Sequence, residues 1–283
     1  MTIHLLSGPA DALWRRHDAL IVDLDGVVYV GSRPVEHAVE VLSLLAQEGC
    51  PIFFATNNAS HTADQVAERL RGFGLDVEPR SVITSSDACA DYIHATLTPG
   101  ASIRVIGADG IRTRLQSMDF TVICGADEPD TRCDVVIQGH SPATTWLDLA
   151  IGFRSINSGA VWVATNMDLT IPLEGGLAPG NGALVSALAV AAGRPPDVVI
   201  GKPHQPMFDA FLSRSSARTP LVIGDRRDTD IAWANAVGCA SLHVGTGVDS
   251  IDDAVIRADE RPTYIAADLR GLLATPVPAP VPA

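Results

Sequence analysis

The chain has 283 residues, and its 33 acidic side chains outnumber its 20 basic ones, which gives a formal net charge of −13. A chain of this length forms one large domain or two moderate ones, at roughly 100 to 200 residues per domain. Nucleic acids and anionic membranes are not expected as partners, because so acidic a chain repels them and its arginines form no basic patch.

Cysteine usage indicates a reducing compartment. The number of cysteines is odd and no two stand in C-x-x-C spacing, so we expect reduced thiols in a cytoplasmic protein. The five are Cys50, Cys89, Cys124, Cys133 and Cys239. The N-terminus lacks the pattern of a signal peptide. The longest nearly apolar run, Gly182–Gly193, is shorter than the about 20 residues that a membrane-spanning helix needs.

Strands and helices alternate in the first third of the chain. Short apolar runs predict buried strands, and longer runs with helical period predict helices. Thr62 and Gln65 form a capping box, which predicts a helix that begins there and ends near Gly72. The other elements are strands over Leu20–Leu24, Pro51–Ala55 and Ser81–Thr84 and helices over Val35–Glu48 and Asp87–Ala95.

The alternation continues to the end of the chain and predicts an α/β fold with a doubly wound, Rossmann-like parallel sheet. Strands are expected over Ile103–Ile106, Thr121–Ile123, Val135–Gln138, Val161–Ala164, Val198–Ile200, Leu221–Ile223 and Ala240–Val244. Helices are expected over Ile111–Met118, Thr145–Asn157, Gly182–Ala192, Met207–Ser213 and Ile231–Val237. Leu169–Asn181 is rich in glycine and proline and is predicted to be a long loop.

Residues suited to phosphate and metal chemistry follow four of the predicted strands. Ligands bind at the carboxyl ends of the strands in a parallel sheet. The four segments are Asp23-Leu24-Asp25-Gly26, Thr56-Asn57-Asn58, Gly201-Lys202-Pro203 and Gly224-Asp225, the last followed by Asp228 and Asp230. Lys202 is the only lysine beside nineteen arginines. Its retention indicates a function, because a guanidinium cannot replace a compact ammonium close to an oxyanion.

These groups suit phosphoryl transfer. Carboxylates that converge on one point repel one another unless a divalent cation neutralises them, and ligands that are all oxygen favour Mg²⁺ over zinc. A metal ion and an ammonium group together stabilise negative charge on phosphate oxygens. One aspartate can then attack phosphorus to form an aspartyl phosphate. A second aspartate, two residues further on, can protonate the leaving alkoxide and later activate water.

The four segments resemble, in the same order, the motifs of phosphatases of the haloacid dehalogenase (HAD) superfamily. The first is similar to their D-x-D-G-x motif, and Thr56-Asn57-Asn58 is similar to the second motif of subclass IIA, which contains NagD-type and p-nitrophenyl-phosphatase-like enzymes. Gly201–Phe208 and Gly224–Ile231 are similar to that subclass's G-K-P-x-x-x-[MI]-F and G-D-x-x-x-T-D-I segments. With the matching segment Ala164–Gly182, the resemblance covers roughly residues 13–270.

The resemblance implies the catalytic and metal-binding roles. Asp23 is the nucleophile and a metal ligand. Asp25 is the general acid and base, with its backbone carbonyl on the metal, and Asp225 is the third protein ligand. Gly26 and Asp230 are supporting residues, and Asp230 assists either the metal's water shell or the lysine.

The resemblance also implies that four residues bind the substrate phosphate. They are Thr56, Asn57, Asn58 and Lys202. Asp228 falls at a variable position of the motif and is given no role.

The spacing of the motifs predicts an inserted domain. Thr56 lies 31 positions after Asp25 (56 − 25), but Lys202 lies 146 positions after Thr56 (202 − 56), far more than a crossover connection needs. The resemblance identifies the insertion as an α/β cap domain of the C2 type. We expect the HAD core over 1–86 and 180–275, the cap over 87–179, and a proline-rich tail without an assigned role over 276–283.

Two other classes of protein fit parts of the sequence. Gly139–Ala143 resembles a nucleophile elbow, which would make Ser141 the nucleophile of a serine hydrolase. Pro142 argues against this, because it lacks the backbone N–H that such enzymes use in the oxyanion hole. A phospho-receiver-like regulatory module also pairs acidic residues with a lysine, but such a module has no use for a large cap.

The expected substrate is a small phosphomonoester, with glycerol 3-phosphate as the first candidate. The cap is acidic at Asp127, Glu128 and Asp130, which disfavours a polyanionic substrate. Three further stretches resemble actinobacterial glycerol 3-phosphate phosphatases, namely Gln138–Trp146, Gly182–Leu188 and Arg261–Ile265. Pyridoxal phosphate and sugar or nucleoside monophosphates are the alternatives, since relatives with the same core motifs use each of them. The sequence leaves a homodimer open.

Overall fold

The structure, a computed structural model, describes residues 8–173, 176–251, 257–276 and 279, and it alternates strands with helices. The strands are β1 (Leu20–Asp23), β2 (Tyr29–Val30), β3 (Arg33–Pro34), β4 (Ile52–Thr56), β5 (Val82–Thr84), β6 (Ser102–Ile106), β7 (Thr121–Cys124), β8 (Val135–Gln138), β9 (Val161–Ala164), β10 (Thr170–Leu173), β11 (Gly176–Pro179), β12 (Val198–Val199), β13 (Leu221–Gly224), β14 (Ala240–Val244) and β15 (Tyr264–Ala266). The helices are α1 (Ala38–Gln47), α2 (Ala63–Gly72), α3 (Ser85–Thr96), α4 (Asp109–Gln116), α5 (Trp146–Asn157), α6 (Asn181–Ala192), α7 (Gln205–Leu212) and α8 (Ala232–Ala236).

The chain divides into two compact units, of which the first comprises the described residues within Met1–Thr56, Val66–Ile83 and Phe211–Ala283. Its centre is a six-stranded sheet in the order β15-β14-β13-β1-β4-β5. Strand β1 pairs in parallel with β13 on one side and β4 on the other. Leu20, Ile21 and Val22 are fully buried, as expected of a parallel strand covered on both faces. The carboxyl ends of β13, β1 and β4 therefore lie side by side.

The second unit comprises Asn57–Gln65 and Thr84–Ala210. It contains a five-stranded sheet in the order β12-β9-β8-β6-β7, in which the neighbouring strands are parallel. Trp162, Val136 and Val185 belong to its buried core. Both units are thus parallel α/β structures. The boundaries 87 and 179 of the cap stay a prediction.

The strand before Lys202 does not belong to the sheet that carries Asp23. From the sequence, the four motif-bearing strands are predicted to be members of one sheet. Strand β12 instead pairs with β9 of the second unit, with Val198 opposite Val163 and Val199 opposite Ala164. The prediction is wrong here because a short apolar run does not indicate which sheet it joins; the pairing partner is distant in sequence.

Most of the predicted loop Leu169–Asn181 is also wrong. Strands β10 and β11 form an antiparallel ribbon in which Thr170 faces Pro179 and Pro172 faces Leu177. The prolines argued against strands because proline cannot donate to a ladder. In a two-stranded ribbon each strand has a free edge, where a missing donor costs nothing.

The predicted capping box of α2 is present. The Thr62 N–H donates to Gln65 Oε1 at 2.9 Å, and the Gln65 N–H donates to Thr62 Oγ1 at 3.3 Å. Helix α1 begins three residues later than predicted, because His37 has a φ of 65° and interrupts helical geometry before Ala38. Most of the predicted tail 276–283 lies outside the described residues. In the described part of the chain, no helix combines the length and apolarity needed to cross a membrane.

Candidate active site

Three carboxylates of the first unit form a compact acidic group. Asp23 ends β1, Asp225 follows β13, and Asp230 lies in a π-helical turn over Arg227–Ile231. One oxygen from each of the three carboxylates lies within 4.8 Å of the others. Asp225 and Asp230 are buried, and Asp23 is half-buried. We call Asp23, Asp225 and Asp230 the acidic group.

Asp225 is held by a loop that follows the neighbouring strand β14. The Val248 N–H donates to Asp225 Oδ2 at 2.7 Å, and the Asp249 N–H donates to the Asp225 carbonyl at 3.2 Å. A Cβ at Gly247 would overlap with Asp225 Oδ2, so only glycine permits this approach of the loop to the carboxylate. From the sequence, Gly245–Gly247 is predicted to be a loop and not a phosphate-binding segment. The two glycines directly after a predicted strand are the signal of this contact, but its target is known only once β14 is seen to pair with β13.

The same loop contacts the first motif. Thr246 Oγ1 donates to the Gly26 carbonyl at 2.6 Å, and the Gly26 N–H donates to the Tyr29 carbonyl at 2.8 Å. Gly26 has a φ of +88°, and a Cβ there would overlap with Asp225 Oδ2. Glycine at this position allows the turn after Asp25 to pack on the Asp225 carboxylate, and the supporting role of Gly26 stays a prediction.

Asp230 is positioned by its own turn and by a third glycine. Asp230 Oδ2 accepts the Arg226 N–H at 3.1 Å, and a Cβ at Gly224 would overlap with the Asp230 side chain. Asp228, in the same turn, pairs instead with Arg226 at 2.9 Å on an exposed surface. The structure therefore separates the buried Asp230 from the exposed Asp228.

The turn after Asp25 is fixed by an aromatic contact. The Arg69 guanidinium lies 3.9 Å from the centroid of the Tyr29 ring, and it donates a hydrogen bond to the Gly31 carbonyl. Burial and the negative charge of Asp25 raise the pKa of the Tyr29 hydroxyl, which therefore stays protonated. Strand β2, which contains Tyr29, and its partner β3 were not predicted from the sequence because each is only two residues long.

The acidic group fits a hard divalent cation. Like charges this close repel one another and favour a bound cation that offsets them. All three potential ligands are carboxylate oxygens, which suit Mg²⁺ or Ca²⁺ better than zinc. The predicted metal contact of Asp25 uses its backbone carbonyl, which this group of side chains does not test, so that role stays a prediction.

In the second unit, Lys202 and Asn57 lie together. Both residues are buried, with 3% and 8% of their surfaces exposed. Asn57 Oδ1 accepts the Lys202 N–H at 2.8 Å, and Asn57 Nδ2 donates to the Lys202 carbonyl at 3.1 Å. A third bond runs from Asn57 Nδ2 to Asp168 Oδ1 at 3.0 Å. No role is predicted for Asp168 from the sequence.

The remaining predicted phosphate-binding residues flank Asn57. Thr56 ends β4 and is buried, while Asn58 is exposed and its Oδ1 accepts the Ser60 N–H at 2.8 Å. The phosphate contacts of all four predicted residues stay predictions.

Ser141, the alternative nucleophile, has a local structural role. It is 8% exposed, and its Oγ accepts the Ala143 N–H at 3.3 Å across the turn at Pro142. This is the ordinary hydrogen bond of a serine turn.

Two family models match the chain, one in its N-terminal part and one in its C-terminal part. The haloacid dehalogenase-like hydrolase model matches residues 20–121, and a HAD-hydrolase-like model matches residues 199–272. The first match contains Asp23 and Thr56, and the second contains Lys202 and Asp225.

Named relatives of the chain are phosphatases. The D-glycerol 3-phosphate phosphatase of Mycobacterium tuberculosis is 41% identical over 259 residues, which cover 91% of this chain and 71% of the relative. The acid sugar phosphatase of Staphylococcus aureus is 35% identical over 262 residues, covering 92% of this chain and 98% of the relative.

Solved structures agree with this result. The M. tuberculosis glycerol phosphate phosphatase in complex with magnesium has a TM-score of 0.85 at 41% identity, over 92% of this chain and 78% of that one. A p-nitrophenyl phosphatase from Archaeoglobus fulgidus has a TM-score of 0.82 at 28% identity, over 91% and 98% of the two chains. The chain belongs to the haloacid dehalogenase-like hydrolases. The predictions of this family, of its α/β fold and of an enzyme of the phosphatase class are confirmed.

Proposed function

We propose that the chain is a Mg²⁺-dependent phosphatase that hydrolyses a small phosphomonoester through an aspartyl phosphate on Asp23. The observation that carries the proposal is the acidic group, in which three carboxylate oxygens lie within 4.8 Å of one another at the ends of adjacent strands and in the turn that follows. Bound there, Mg²⁺ supplies positive charge that offsets these carboxylates and the phosphate oxygens.

Two half-reactions follow from the proposed roles. In the first, a carboxylate oxygen of Asp23 forms a bond to phosphorus while the ester P–O bond breaks, and Asp25 gives its proton to the leaving alkoxide. In the second, Asp25 takes a proton from water, the resulting hydroxide attacks phosphorus, and the bond to Asp23 breaks. Inorganic phosphate leaves, and both aspartates return to their starting states.

The phosphate is bound, in this proposal, by Thr56, Asn57, Asn58 and Lys202. The lysine neutralises charge that develops on the phosphoryl oxygens, which is the contribution expected of a buried ammonium group. The side-chain amide of Asn57 is already engaged with Lys202 and Asp168. Its backbone N–H is therefore the group that we assign to the phosphate.

Glycerol 3-phosphate is the first candidate substrate. The relative named D-glycerol 3-phosphate phosphatase, at 41% identity, supports it. A sugar phosphate is the second candidate, supported by the relative named acid sugar phosphatase at 35% identity. Pyridoxal phosphate and nucleoside monophosphates remain the competitors that the motifs allow. All are small phosphate esters. We place the enzyme in the cytoplasm because an odd number of cysteines without C-x-x-C spacing suits a reducing compartment.

The substrate is tested by comparing kcat/KM for these four classes of compound under saturating Mg²⁺. We expect glycerol 3-phosphate to have the highest value. A clear preference for pyridoxal phosphate or a nucleotide would overturn the choice of substrate and leave the phosphatase class intact. Equal rates with Mg²⁺ and with excess chelator would overturn the class of mechanism.

A further inference from the structure

We infer that Asp168 is a positioning residue for Lys202 and that it acts through the side-chain amide of Asn57. The inference rests on the proposed function, in which Lys202 binds the substrate phosphate. Asp168 lies between β9 and β10, far in sequence from both Asn57 and Lys202, and the motif resemblance assigned it no role. The contacts that carry the inference all lie within the second unit.

The amide of Asn57 holds the main chain of Lys202 on both sides of its Cα atom. Oδ1 accepts the Lys202 N–H at 2.8 Å, and one N–H of Nδ2 donates to the Lys202 carbonyl at 3.1 Å. The other N–H of Nδ2 donates to Asp168 Oδ1 at 3.0 Å. An asparagine amide offers two N–H donors and one carbonyl acceptor. Each of the three groups therefore has a partner.

The bond to Asp168 selects the orientation of that amide. A primary amide is nearly symmetric in shape, so the positions of its oxygen and nitrogen are decided by hydrogen-bond partners. In the reversed orientation, the amide oxygen would face two acceptors, the Lys202 carbonyl and the Asp168 carboxylate. The amide nitrogen would then face the Lys202 N–H. An ionised carboxylate only accepts hydrogen bonds, and bonds to it are stronger than neutral ones, so Asp168 opposes this reversal.

Neighbouring side chains hold the main chains of Asn57 and Asp168 in place. Asn166 Nδ2 donates to the Asn57 carbonyl at 2.7 Å, while Asn166 Oδ1 accepts the Asp168 N–H at 3.2 Å. Ser85 Oγ also donates to the Asn57 carbonyl, at 2.6 Å. We call Asn57, Ser85, Asn166, Asp168 and Lys202 the Asn57 network.

Glycine at position 201 permits the close approach. A Cβ there would lie 2.5 Å from Asn57 Oδ1, which is shorter than any ordinary contact. The amide can therefore reach the main chain of Lys202 only because the preceding residue has no side chain. The arrangement fixes the backbone from which the flexible lysine side chain extends.

Removal of the Asp168 carboxylate should lower kcat more than it changes KM. A transition-state contact that moves by about 1 Å can cost on the order of 100-fold in rate. We expect Asp168→Ala to lower kcat by about 10- to 100-fold with p-nitrophenyl phosphate, with KM changed by less than about threefold. Asp168→Asn keeps an amide oxygen as acceptor, so its kcat should lie well above that of Asp168→Ala.

The decisive experiment repeats Asp168→Ala in a Lys202→Ala background, using the full chain with saturating Mg²⁺. If Asp168 acts through Lys202, Asp168→Ala should change kcat by less than about twofold when the lysine side chain is already absent. Asp134→Ala is the matched control, because Asp134 is another aspartate of the second unit whose carboxylate accepts a hydrogen bond, in this case from the Ser102 N–H at 2.7 Å. It should leave kcat unchanged in both backgrounds.

The outcomes separate this inference from the proposed function. Losses that multiply in the double variant, or a change confined to KM, would show that Asp168 acts independently of Lys202 and would overturn the inference alone. Wild-type kinetics for Lys202→Ala would contradict the proposed role of Lys202 as well. Urea unfolding of each variant identifies one that fails to fold, in which case Asp168→Asn takes the place of Asp168→Ala in the cycle.

Discussion

The acidic group and the Asn57 network are both built from polar residues beside short parallel strands, but they differ in how their charges and hydrogen-bonding groups are paired. In the acidic group three like-charged carboxylates lie within 4.8 Å of one another, and glycines at positions 26, 224 and 247 make the room. In the Asn57 network each polar group of the central amide has a partner within the chain. The first arrangement favours an added cation, and the second is complete without one.

This difference has a mechanistic consequence. A residue whose bonding changes during a reaction cannot have all its hydrogen bonds and charge interactions supplied by fixed protein groups. A residue that only has to stay in place can have all of them supplied in this way. We therefore expect cation dependence to belong to the acidic group and geometric control of the lysine to belong to the Asn57 network.

Removal of the proposed nucleophile should have the largest effect. Asp23→Asn takes away the oxygen that attacks phosphorus in the proposed mechanism, and it should lower kcat by at least about 10⁴-fold. The matched control is Asp228→Asn, because Asp228 is exposed and pairs only across the surface with Arg226 in the described contacts. The measurement is phosphate release, combined with trapping of labelled phosphate on the protein. Near-normal turnover by Asp23→Asn would exclude it as the nucleophile.

The next largest effect is expected from Lys202→Arg. This substitution keeps the charge, but the guanidinium is longer, planar and unable to place one compact ammonium on the phosphate. We expect kcat to fall on the order of 100-fold. A variant with wild-type kinetics would mean that Lys202 does not contact the phosphate and that the Asn57 network controls something else.

A smaller effect is expected from the loop that holds Asp225. In Gly247→Ala the new methyl group displaces the Asp225 carboxylate, since the two would otherwise overlap. Changes of this kind beside a metal ligand typically weaken metal binding by about 10- to 100-fold. The Mg²⁺ concentration for half-maximal activity should rise accordingly. Gly72→Ala is the control, because a Cβ at Gly72 meets nothing within 4 Å, and it should leave that concentration unchanged.

The smallest effect concerns stability. A ligand that binds only the folded state stabilises it by about 2.7 kcal/mol at a concentration of 100 Kd. Mg²⁺ at that level should raise the Tm of the wild-type chain by several degrees, and Asp225→Asn should remove most of the shift. Asp168→Asn should keep it. If the Mg²⁺-dependent rise in Tm were lost in Asp168→Asn but kept in Asp225→Asn, the cation dependence would belong to the Asn57 network and not to the acidic group.

The part of the site that the sequence predicts depends on local patterns. Asp23, Thr56 and Asp225 each follow a buried apolar run, and those runs became β1, β4 and β13, which are neighbours in one sheet. The capping box of α2 was found for the same reason, since it needs only residues three positions apart.

The parts of the site that the sequence does not predict depend on contacts between distant segments. Strand β12 joins β9 rather than the sheet of β1, and nothing in Val198–Ile200 encodes that partner. The hold of Gly247 and Val248 on Asp225 requires β14 to lie beside β13, and Asp168 reaches Asn57 across 111 positions of sequence. Local sequence patterns do not indicate which distant segments come into contact until the pairing of the strands is known.

Metal dependence tests the central claim most directly. The chain is stripped of metal with a chelator, and the release of phosphate from glycerol 3-phosphate is measured before and after Mg²⁺ is added back. If the acidic group binds the ion that the reaction needs, the stripped enzyme should be inactive and Mg²⁺ should restore the full rate. Undiminished phosphate release by the stripped enzyme in excess chelator would contradict the account.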